Sequence, residues 1–349
     1  MRRPLSRTLA LQGLQGAPGA LARRARAMPS LDLRFAETKS LTDWISGQDL
    51  ITFTRASSGT VVNAAGTLET VASNLPRLTH NPLTGESLGL LLEGQRTNLL
   101  LNSATLSTQN VTVTAVAHTL SFTGTGTVTL SGVSTAGPLV GTGAGEANRV
   151  SLTFTPTAGT LTLTVSGTVT DAQLEAGSSR TSYIPTAGAT ATRSTDVASI
   201  TGSNFSSFAS TSTHTLFAEI QRSSAVNVNT LVAALSDGTT NNRISLRLDA
   251  NGTTSTFVGV NSGTLDGVVQ VTTGVAGSVI RQAGAAEVNN YQLAANGMLG
   301  TADTTALIPT VDQLEIGQVA ATAQFNGTIR RLTYWPQRLP NNSLVAITR

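Results

Sequence analysis

Carboxylate pairs are the first residues in this chain whose types and spacing could do chemistry. Hydrolysis of a glycosidic bond uses two carboxyl groups about 5 to 9.5 Å apart across a cleft. Three pairs are candidates by position: Asp237 with Asp249, Asp266 with Glu287, and Asp312 with Glu315. Each pair lies in or beside a predicted turn, where an acidic side chain commonly accepts hydrogen bonds from local backbone amides. We therefore interpret them as turn residues and predict no catalytic residue.

Other reactive constellations are missing from the sequence. The chain has no cysteine, and its three histidines, His80, His118 and His214, are far apart and without metal-ligand spacing. No Gly-x-Ser-x-Gly motif accompanies them, as a serine hydrolase of that type would require. The glycine-rich stretch 141–145 does not continue into Gly-Lys-Ser or a helix, so it is no phosphate loop. We expect no metal and no cofactor.

Sugar binding is better supported, because polar loops and a few aromatic rings could contact a glycan. Loops 236–243 and 261–266 are rich in amide, hydroxyl and carboxylate groups. The same residue types are ordinary turn formers, so both interpretations stay open. Tyr334 and Trp335, at the end of the last predicted strand, are expected to close the core. The candidate carbohydrate-binding residues are Asp237, Asn241, Asn242, Arg243, Asn261, Asp266 and Tyr291.

The composition favours an all-β chain. Its 349 residues include 33 Gly, 9 Phe, 2 Trp and 3 Tyr, and only 12% are charged. Long runs alternate Thr, Ser and Val, and β-branched residues suit a pleated, half-buried surface. A chain of this length predicts two or three domains.

Short alternating segments predict the strands. Between residues 86 and 198 they are 88–92, 110–116, 120–122, 127–130, 150–154, 161–165 and 169–174. Beyond the linker 187–196 they are 215–220, 229–235, 243–248, 256–260, 267–271, 287–293, 313–316 and 327–334. Asp-Gly or Asn-Gly pairs at 237, 251, 296 and 326 supply the turns that tight hairpins need. This spacing is typical of sandwiches and jelly rolls.

The segment before these strands is less regular. Residues 31–35 alternate as a strand does, Thr42 could cap a short helical turn, and 61–68 predict a hairpin. Pro76 and Pro82 predict no regular structure between 74 and 85. The predicted division is a basic arm at 1–29, a collar at 30–85, a jelly roll at 86–198 and a second sandwich at 199–349.

The arm concentrates the positive charge. Residues 1–28 contain six arginines and no acid, whereas the whole chain has a net charge of only +3. Its apolar stretch is too interrupted for a signal peptide or a membrane-spanning helix. Either Met28 is the true start, or the arm docks on another protein. For docking, the anchoring residues are Arg2, Arg3, Arg7, Leu9, Leu11, Leu14, Leu21, Arg23, Arg24 and Arg26.

Several motifs resemble those of tailed-phage tail-fibre and head-spike proteins. They are Thr54-Arg-Ala-Ser-Ser-Gly-Thr60, Asn74-Leu-Pro-Arg-Leu-Thr-His80, Gly89-Leu-Leu-Leu-Glu93, Arg96-Thr-Asn-Leu-Leu-Leu-Asn-Ser103, Asp171-Ala-Gln-Leu-Glu-Ala-Gly177 and Thr181-Ser-Tyr-Ile-Pro-Thr186. Residues 97–175 resemble a carbohydrate-binding-module jelly roll. Residues 325–339 resemble the last strands of a concanavalin-like or laminin-G-like sandwich.

The resemblance implies a protein on the surface of a phage particle, at head or tail, and a trimer is the usual form in such fibres. We expect it to adhere to host surface polysaccharide without an enzymatic reaction, and its arm to dock on a capsid, neck or tail protein. No nucleic acid and no membrane insertion are expected. The alternatives are a decoration or adaptor protein that carries another receptor-binding chain and, with less support, a tailspike polysaccharide depolymerase. A β-helical depolymerase would show repeats of about 20 to 25 residues, a period that the sequence lacks.

Overall fold

The structure is a computed structural model. It describes residues 27–222, 228–250, 252–273 and 277–349. The predicted anchoring residues therefore lie outside the described residues. Of the arm, only its last residues are described, and the Ala27 carbonyl accepts a hydrogen bond of 3.0 Å from the Trp335 indole nitrogen.

Strands are the main regular structure of the described chain. The early strands are β1 (Leu31–Leu33), β2 (Thr52–Thr54), β3 (Gly59–Val62), β4 (Leu68–Val71), β5 (Arg77–His80), β6 (Ser87–Leu92) and β7 (Arg96–Asn98). The middle strands are β8 (Gln109–Val113), β9 (His118–Gly124), β10 (Thr127–Gly132), β11 (Leu139–Val140), β12 (Val150–Phe154), β13 (Gly159–Ser166), β14 (Val169–Ala176) and β15 (Ala191–Arg193).

The remaining strands are β16 (Val197–Thr201), β17 (His214–Arg222), β18 (Thr230–Ser236), β19 (Arg243–Leu248), β20 (Thr254–Asn261), β21 (Thr264–Thr272), β22 (Val279–Glu287), β23 (Asn290–Ala295), β24 (Met298–Leu299), β25 (Gln313–Ile316) and β26 (Gly327–Trp335). The helices are short: α1 (Phe35–Thr38), α2 (Gly202–Ser206), α3 (Asn341–Ile347) and a 3₁₀ turn (Glu146–Asn148). None of the helices in the described part of the chain is long and apolar enough to cross a membrane.

The larger sandwich consists of two antiparallel sheets. Sheet A has eight strands in the order β24-β23-β22-β17-β26-β6-β5, with β1 also paired to β26. Sheet B has seven strands in the order β2-β16-β25-β18-β19-β20-β21. Alternate residues of each strand face the shared core, as Leu216, Ala218 and Ile220 of β17 do. The prediction of an all-β chain built of β-sandwiches is confirmed.

Strands from the first hundred residues complete this sandwich. Leu31 of β1 lies opposite Tyr334 of β26, and Leu90 of β6 lies opposite Ile329 of the same strand. Strand β2 forms an edge of sheet B beside β16. Sheet A therefore joins residues that are more than two hundred positions apart, and sheet B joins residues of β2 and β16 that are more than one hundred and forty positions apart.

The smaller sandwich lies between β6 and β16 in the sequence. A four-stranded sheet, β11-β10-β13-β8, faces a three-stranded sheet, β12-β9-β14. Their inner residues form a separate core around Leu120, Phe122 and Leu163. Strand β7, which leads into the smaller sandwich, pairs with strand β15, which leads out of it. The two connections to the larger sandwich therefore run side by side.

Local predictions before residue 85 fail in two places. Strand β5 lies between Pro76 and Pro82, where no regular structure was expected, because it is an edge strand with β6 as its partner and the prolines fall outside it. The turn after Thr42 is capped by Asp43 instead, whose carboxylate accepts from the Ser46 amide at 2.8 Å. The Thr42 hydroxyl donates to Asp49 at 2.6 Å.

Candidate functional site

A polar cleft opens where the two sandwiches meet. It has a volume of about 280 Å³, close to the lower end of the range of roughly 300 to 1,000 Å³ found for ligand pockets. The β3–β4 hairpin, the β5–β6 region (residues 79–93), the 3₁₀ turn with Arg149 and segment 180–183 form most of the lining. Gly277 and the facing ends of β17 and β26 complete it. The two connections that run side by side hold these elements together.

Arg149 lies at the centre of one wall. Its guanidinium donates to Glu146 at 2.9 Å and, through Nη2, to the Ser121 hydroxyl at 3.0 Å. The same group lies 5.7 Å from the centre of the Tyr183 ring, a cation–π distance. These contacts fix the orientation of the positively charged Arg149 guanidinium beside the cleft.

Arg180 lines the same wall with fewer partners. Its Nη1 donates to the Arg149 carbonyl oxygen at 2.8 Å, and among the described residues no carboxylate forms a salt bridge with it. The residue is exposed. The pKa of its guanidinium is lowered, first by desolvation in the cleft wall and then by the positive charge of Arg149.

Arg222, at the end of β17, also lines the cleft, but its guanidinium is directed to groups outside the cleft lining. Only 3% of the residue is exposed. Its nitrogens donate to the Thr230 hydroxyl at 3.2 Å and to the carbonyl oxygens of Asp249 and Ala250 at 3.3 and 3.4 Å. No carboxylate pairs with it within the described ranges, and burial lowers its pKa. Such a charge is expensive to bury unless an anion compensates it.

A fully buried ion network lies beneath the cleft. Asp196 binds Arg55 at 3.0 Å and also pairs with Arg77. Glu93 binds Arg77 at 2.8 Å and Arg193 at 2.9 Å. All three arginines are at most 1% exposed. This network joins β5, β6 and β15 to the end of β2, and so fixes the junction between the sandwiches.

Glu93 is the carboxylate of the network that also lines the cleft. Desolvation alone would raise its pKa, but Arg193 and Arg77 together with hydrogen bonds from Ser182 lower the pKa to about 2. The Ser182 hydroxyl and amide donate to it at 2.6 and 2.8 Å. A carboxylate that is permanently ionised and already saturated with donors is poorly suited to act as a general acid.

The remaining motif residues brace the same junction. Asn98 is buried and donates to the carbonyl oxygens of Ala172 and Ile184 at 2.9 and 2.8 Å. The Ser103 and Tyr183 hydroxyls are 2.8 Å apart. The sequence motifs thus meet in space as one structural joint. The segment predicted as a linker, 187–196, contributes β15, Arg193 and Asp196 to it.

The cleft continues along the outer face of sheet A as a shallow groove. Leu88 and Gln221 line both the cleft and a neighbouring hollow of about 410 Å³. Glu219 and Arg330 line that hollow and a third of about 330 Å³. In the groove the charges are paired, since Glu219 binds both Arg281 and Arg330 at 3.0 Å.

Five of the predicted carbohydrate-binding residues meet at one end of sheet B, on the turns after β18 and β20. The Asn242 amide nitrogen donates to Asp237 at 2.8 Å, and its oxygen accepts from the Ser262 amide at 2.8 Å. Arg243 donates to the Thr240 carbonyl oxygen. The neighbouring Asn261 oxygen accepts from the Ser262 hydroxyl at 3.4 Å. These polar groups are largely engaged with each other.

Asn241 differs from its neighbours in the same turn. It is exposed, and in the part of the chain that the structure describes its amide group makes no hydrogen bond. Its backbone carbonyl oxygen accepts from the Gly263 amide at 2.9 Å. Among the predicted carbohydrate-binding residues of this turn, its side chain is the one that is available to a ligand without breaking the loop.

Asp266 and Tyr291 lie apart from those turns. The Asp266 carboxylate accepts from the Leu307 amide at 2.8 Å. Tyr291 is fully buried in the core, and its hydroxyl donates to the Leu307 carbonyl oxygen at 2.6 Å. Its ring packs near Phe257, with centroids 5.5 Å apart, and offers no open face to a sugar.

The acidic residues considered for catalysis occupy structural positions. Asp237 accepts from the Thr239 amide and hydroxyl, as a turn-capping side chain does. Asp249 accepts from Thr256 at 2.9 Å, and Glu315 accepts from Ser236 at 2.6 Å. Within the described ranges, no group of three His, Asp or Glu side chains is placed to hold a metal ion.

The cleft arginines were not among the sequence candidates. Arg149 lies in no recognised motif, Arg180 directly precedes the motif 181–186, and Arg222 ends a strand as many polar residues do. The available signal was Tyr183, an aromatic residue with a polar edge close to Arg180 in the sequence. Only the folded chain shows that these three arginines line one cavity.

The comparisons with known proteins give weak similarities. No protein-family model and no curated protein matches the chain. Among solved structures, the carbohydrate-binding domain CBM40 of the Ruminococcus gnavus IT-sialidase, bound to α2,6-sialyllactose, is 22% identical with a TM-score of 0.35, over 40% of this chain and 85% of that one. The K499G mutant of NanB sialidase from Streptococcus pneumoniae is 13% identical with a TM-score of 0.36, over 43% and 26%. The binding domain of botulinum neurotoxin serotype D/C is 11% identical with a TM-score of 0.34, over 44% and 41%.

Proposed function

We propose that the chain is a surface fibre or spike protein of a phage or phage-like particle that adheres to host surface polysaccharide without cleaving it. The observation that carries the adhesion is the polar cleft and its continuation as a groove. Hydroxyl, amide and guanidinium groups line it together with apolar side chains such as Val61 and Leu91, and the polar groups can form hydrogen bonds with sugar hydroxyls.

Adhesion fits the site better than hydrolysis does. The carboxylates nearest to the cleft, Glu93 and Glu146, are both paired with arginine. A glycosidase needs one carboxyl group that holds its proton near neutral pH, and a pKa of about 2 for Glu93 is the opposite of that requirement.

The location on a particle rests on the motif resemblance. The motif residues lie together in the buried network and beside it. The resemblance therefore involves the joint between the two sandwiches and not only separate stretches of sequence. On this proposal the basic arm docks on a capsid, neck or tail protein. A trimer would present several weak sites together and raise the avidity.

An array of bacterial capsular and O-antigen polysaccharides tests adhesion directly. The full chain, clustered on beads, should be retained on at least one polymer and should release no reducing ends from it. Free monosaccharides at millimolar concentration should compete weakly. Retention on none of the polymers would favour the adaptor function, and release of reducing ends would favour the depolymerase.

Deletion of residues 2–27 tests the docking arm. Particles made with the shortened chain should assemble but lack it, while the free shortened protein keeps its fold and its retention on polysaccharide. Salt should loosen the intact attachment only partly, because burial of the arm's leucines is not screened. A normal amount of the shortened chain on particles would contradict the docking interpretation.

A further inference from the structure

We infer that the cleft between the sandwiches selects an acidic sugar, and that the guanidinium of Arg180, beside Arg149, binds its carboxylate. This inference rests on the proposed function and names the class of polysaccharide that the site takes. It is carried by the imbalance of charge around one cavity.

The imbalance is visible in the contacts. Arg149, Arg180 and Arg222 line the cleft, and within the described ranges only Glu146 forms a salt bridge with any of them. Glu93 also lines it, but its charge is already shared by two buried arginines. The cleft therefore holds an excess of positive charge with no anion to balance it.

A carboxylate on the ligand would remove that excess. Guanidinium groups present planar pairs of donors that match a carboxylate, and a charge-assisted hydrogen bond is stronger than a neutral one. The mutual repulsion of Arg149 and Arg180 would also fall. A neutral sugar could use the hydroxyl and amide groups of the cleft but would leave the Arg180 guanidinium without an anion.

The adjoining groove does not share this property. There Glu219 pairs with two arginines, so its charges are balanced within the protein. We therefore expect the acidic unit to bind in the cleft, and neighbouring units of the polymer, charged or neutral, to extend along sheet A.

The test compares acidic polymers with their own neutral forms. The full chain is immobilised, and binding of polygalacturonate, alginate, hyaluronate and polysialate is measured beside the same polymers after reduction of their carboxyl groups. We expect at least one acidic polymer to bind roughly tenfold more tightly than its reduced form, with an affinity that falls as salt rises.

Two variants locate the effect. Arg180→Gln, at an exposed position, should weaken binding of the acidic polymer about tenfold and leave the reduced polymer unaffected. Lys39→Asn removes one positive charge from an exposed position outside the cleft, at a left-handed φ of 54° that asparagine tolerates, and should change neither. Unchanged thermal unfolding of both variants excludes a folding defect.

The outcomes separate the two proposals. Equal binding of acidic and reduced polymers, or equal losses in Arg180→Gln and Lys39→Asn, would overturn the acidic-sugar inference while adhesion stands. Failure of the chain to bind any polysaccharide, here and on the bacterial array, would overturn adhesion itself and the inference with it.

Discussion

Two sets of arginines on either side of the same joint have opposite environments. Arg55, Arg77 and Arg193 are completely buried, and Asp196 and Glu93 compensate them. The cleft arginines have a single acidic partner, Glu146. Desolvation opposes the charge of all three network arginines. The two carboxylates raise the pKa of Arg77 above the ordinary value, whereas the pKa values of Arg55 and Arg193 are lowered despite their carboxylates. For Arg222, desolvation lowers the pKa and no acid opposes it.

This difference in environment distinguishes arginines that stabilise the fold from arginines that can bind a ligand. A buried guanidinium with carboxylates on several sides is a fixed part of the fold, since loss of a partner leaves a charge that water cannot reach. A guanidinium in a cleft without an acid retains unused capacity to bind an anion. Substitutions in the buried network and substitutions at the cleft should therefore have different effects on stability and on binding.

The largest effect is expected from Asp196→Asn. The change keeps the shape of the side chain but removes the charge that Arg55 and Arg77 share, and breaking a buried pair costs about 3 to 5 kcal/mol. The free energy of unfolding in urea measures this. Asp237→Asn, in an exposed turn, is the matched control and should cost under about 1 kcal/mol. Similar losses for both would show that the network contributes little.

The pH dependence of stability should divide into two windows. The folded-state pKa of Glu93 is lowered from 4.5 to about 2. Its stabilising contribution is therefore complete above pH 4.5 and is lost as pH falls toward 2. Burial lowers the pKa of His214 from 6.5 to about 4, so its contribution is lost between those values as pH falls.

Chemical unfolding at a series of pH values distinguishes the two groups. Glu93→Gln should abolish the decline between about pH 4.5 and 2 and keep the decline between 6.5 and 4. His214→Gln should do the reverse. A single decline that neither variant changes would show that other groups dominate acid unfolding.

The sequence predicted most strands because their patterns depend on local alternation. The predicted strands 150–154, 243–248 and 313–316 coincide with β12, β19 and β25. Strand β22 was missed because it is rich in alanine and glycine. A Cβ on Gly284 would lie 2.2 Å from the Phe257 ring, and Ala283 and Ala285 pack on the opposite face near Trp335. Its small residues reflect tertiary packing on both faces.

The cleft could not be predicted in the same way, because its residues come from four distant parts of the chain. The sequence does not distinguish a buried arginine from an exposed one. Only the residues that contact it in the folded chain distinguish the two. The candidate residues in the turns were recognisable because their side chains are polar and close together in the sequence. The structure shows that the same polar groups form the hydrogen bonds that stabilise the turns. Whether any of those residues binds sugar stays a prediction.

Substitutions at Asn242 and Asn241 distinguish a structural role of this turn from a role in sugar binding. Asn242→Ala removes two hydrogen bonds of 2.8 Å that join neighbouring turns, and should cost about 1 kcal/mol of stability. Asn241→Ala should change stability by less than about 0.5 kcal/mol. Thermal unfolding and polysaccharide retention are measured together. Loss of retention in Asn241→Ala at unchanged stability would place a binding site on this end of sheet B and weaken the assignment to the cleft.

A small change in stability is also expected for Arg222→Gln, which tests the contrast between the two sets of arginines directly. Arg222 is almost as buried as Arg77, but its partners are a hydroxyl and two carbonyl oxygens, none of them charged. Removing a buried charge that lacks an acidic partner also removes its desolvation penalty, so the free energy of unfolding should stay within about 1 kcal/mol of the parent or rise.

Arg77→Gln is the matched comparison, because it strips Glu93 and Asp196 of a shared cation and should cost about 3 to 5 kcal/mol. Equal destabilisation by the two substitutions would instead place Arg222 among the structural arginines that depend on their partners for stability.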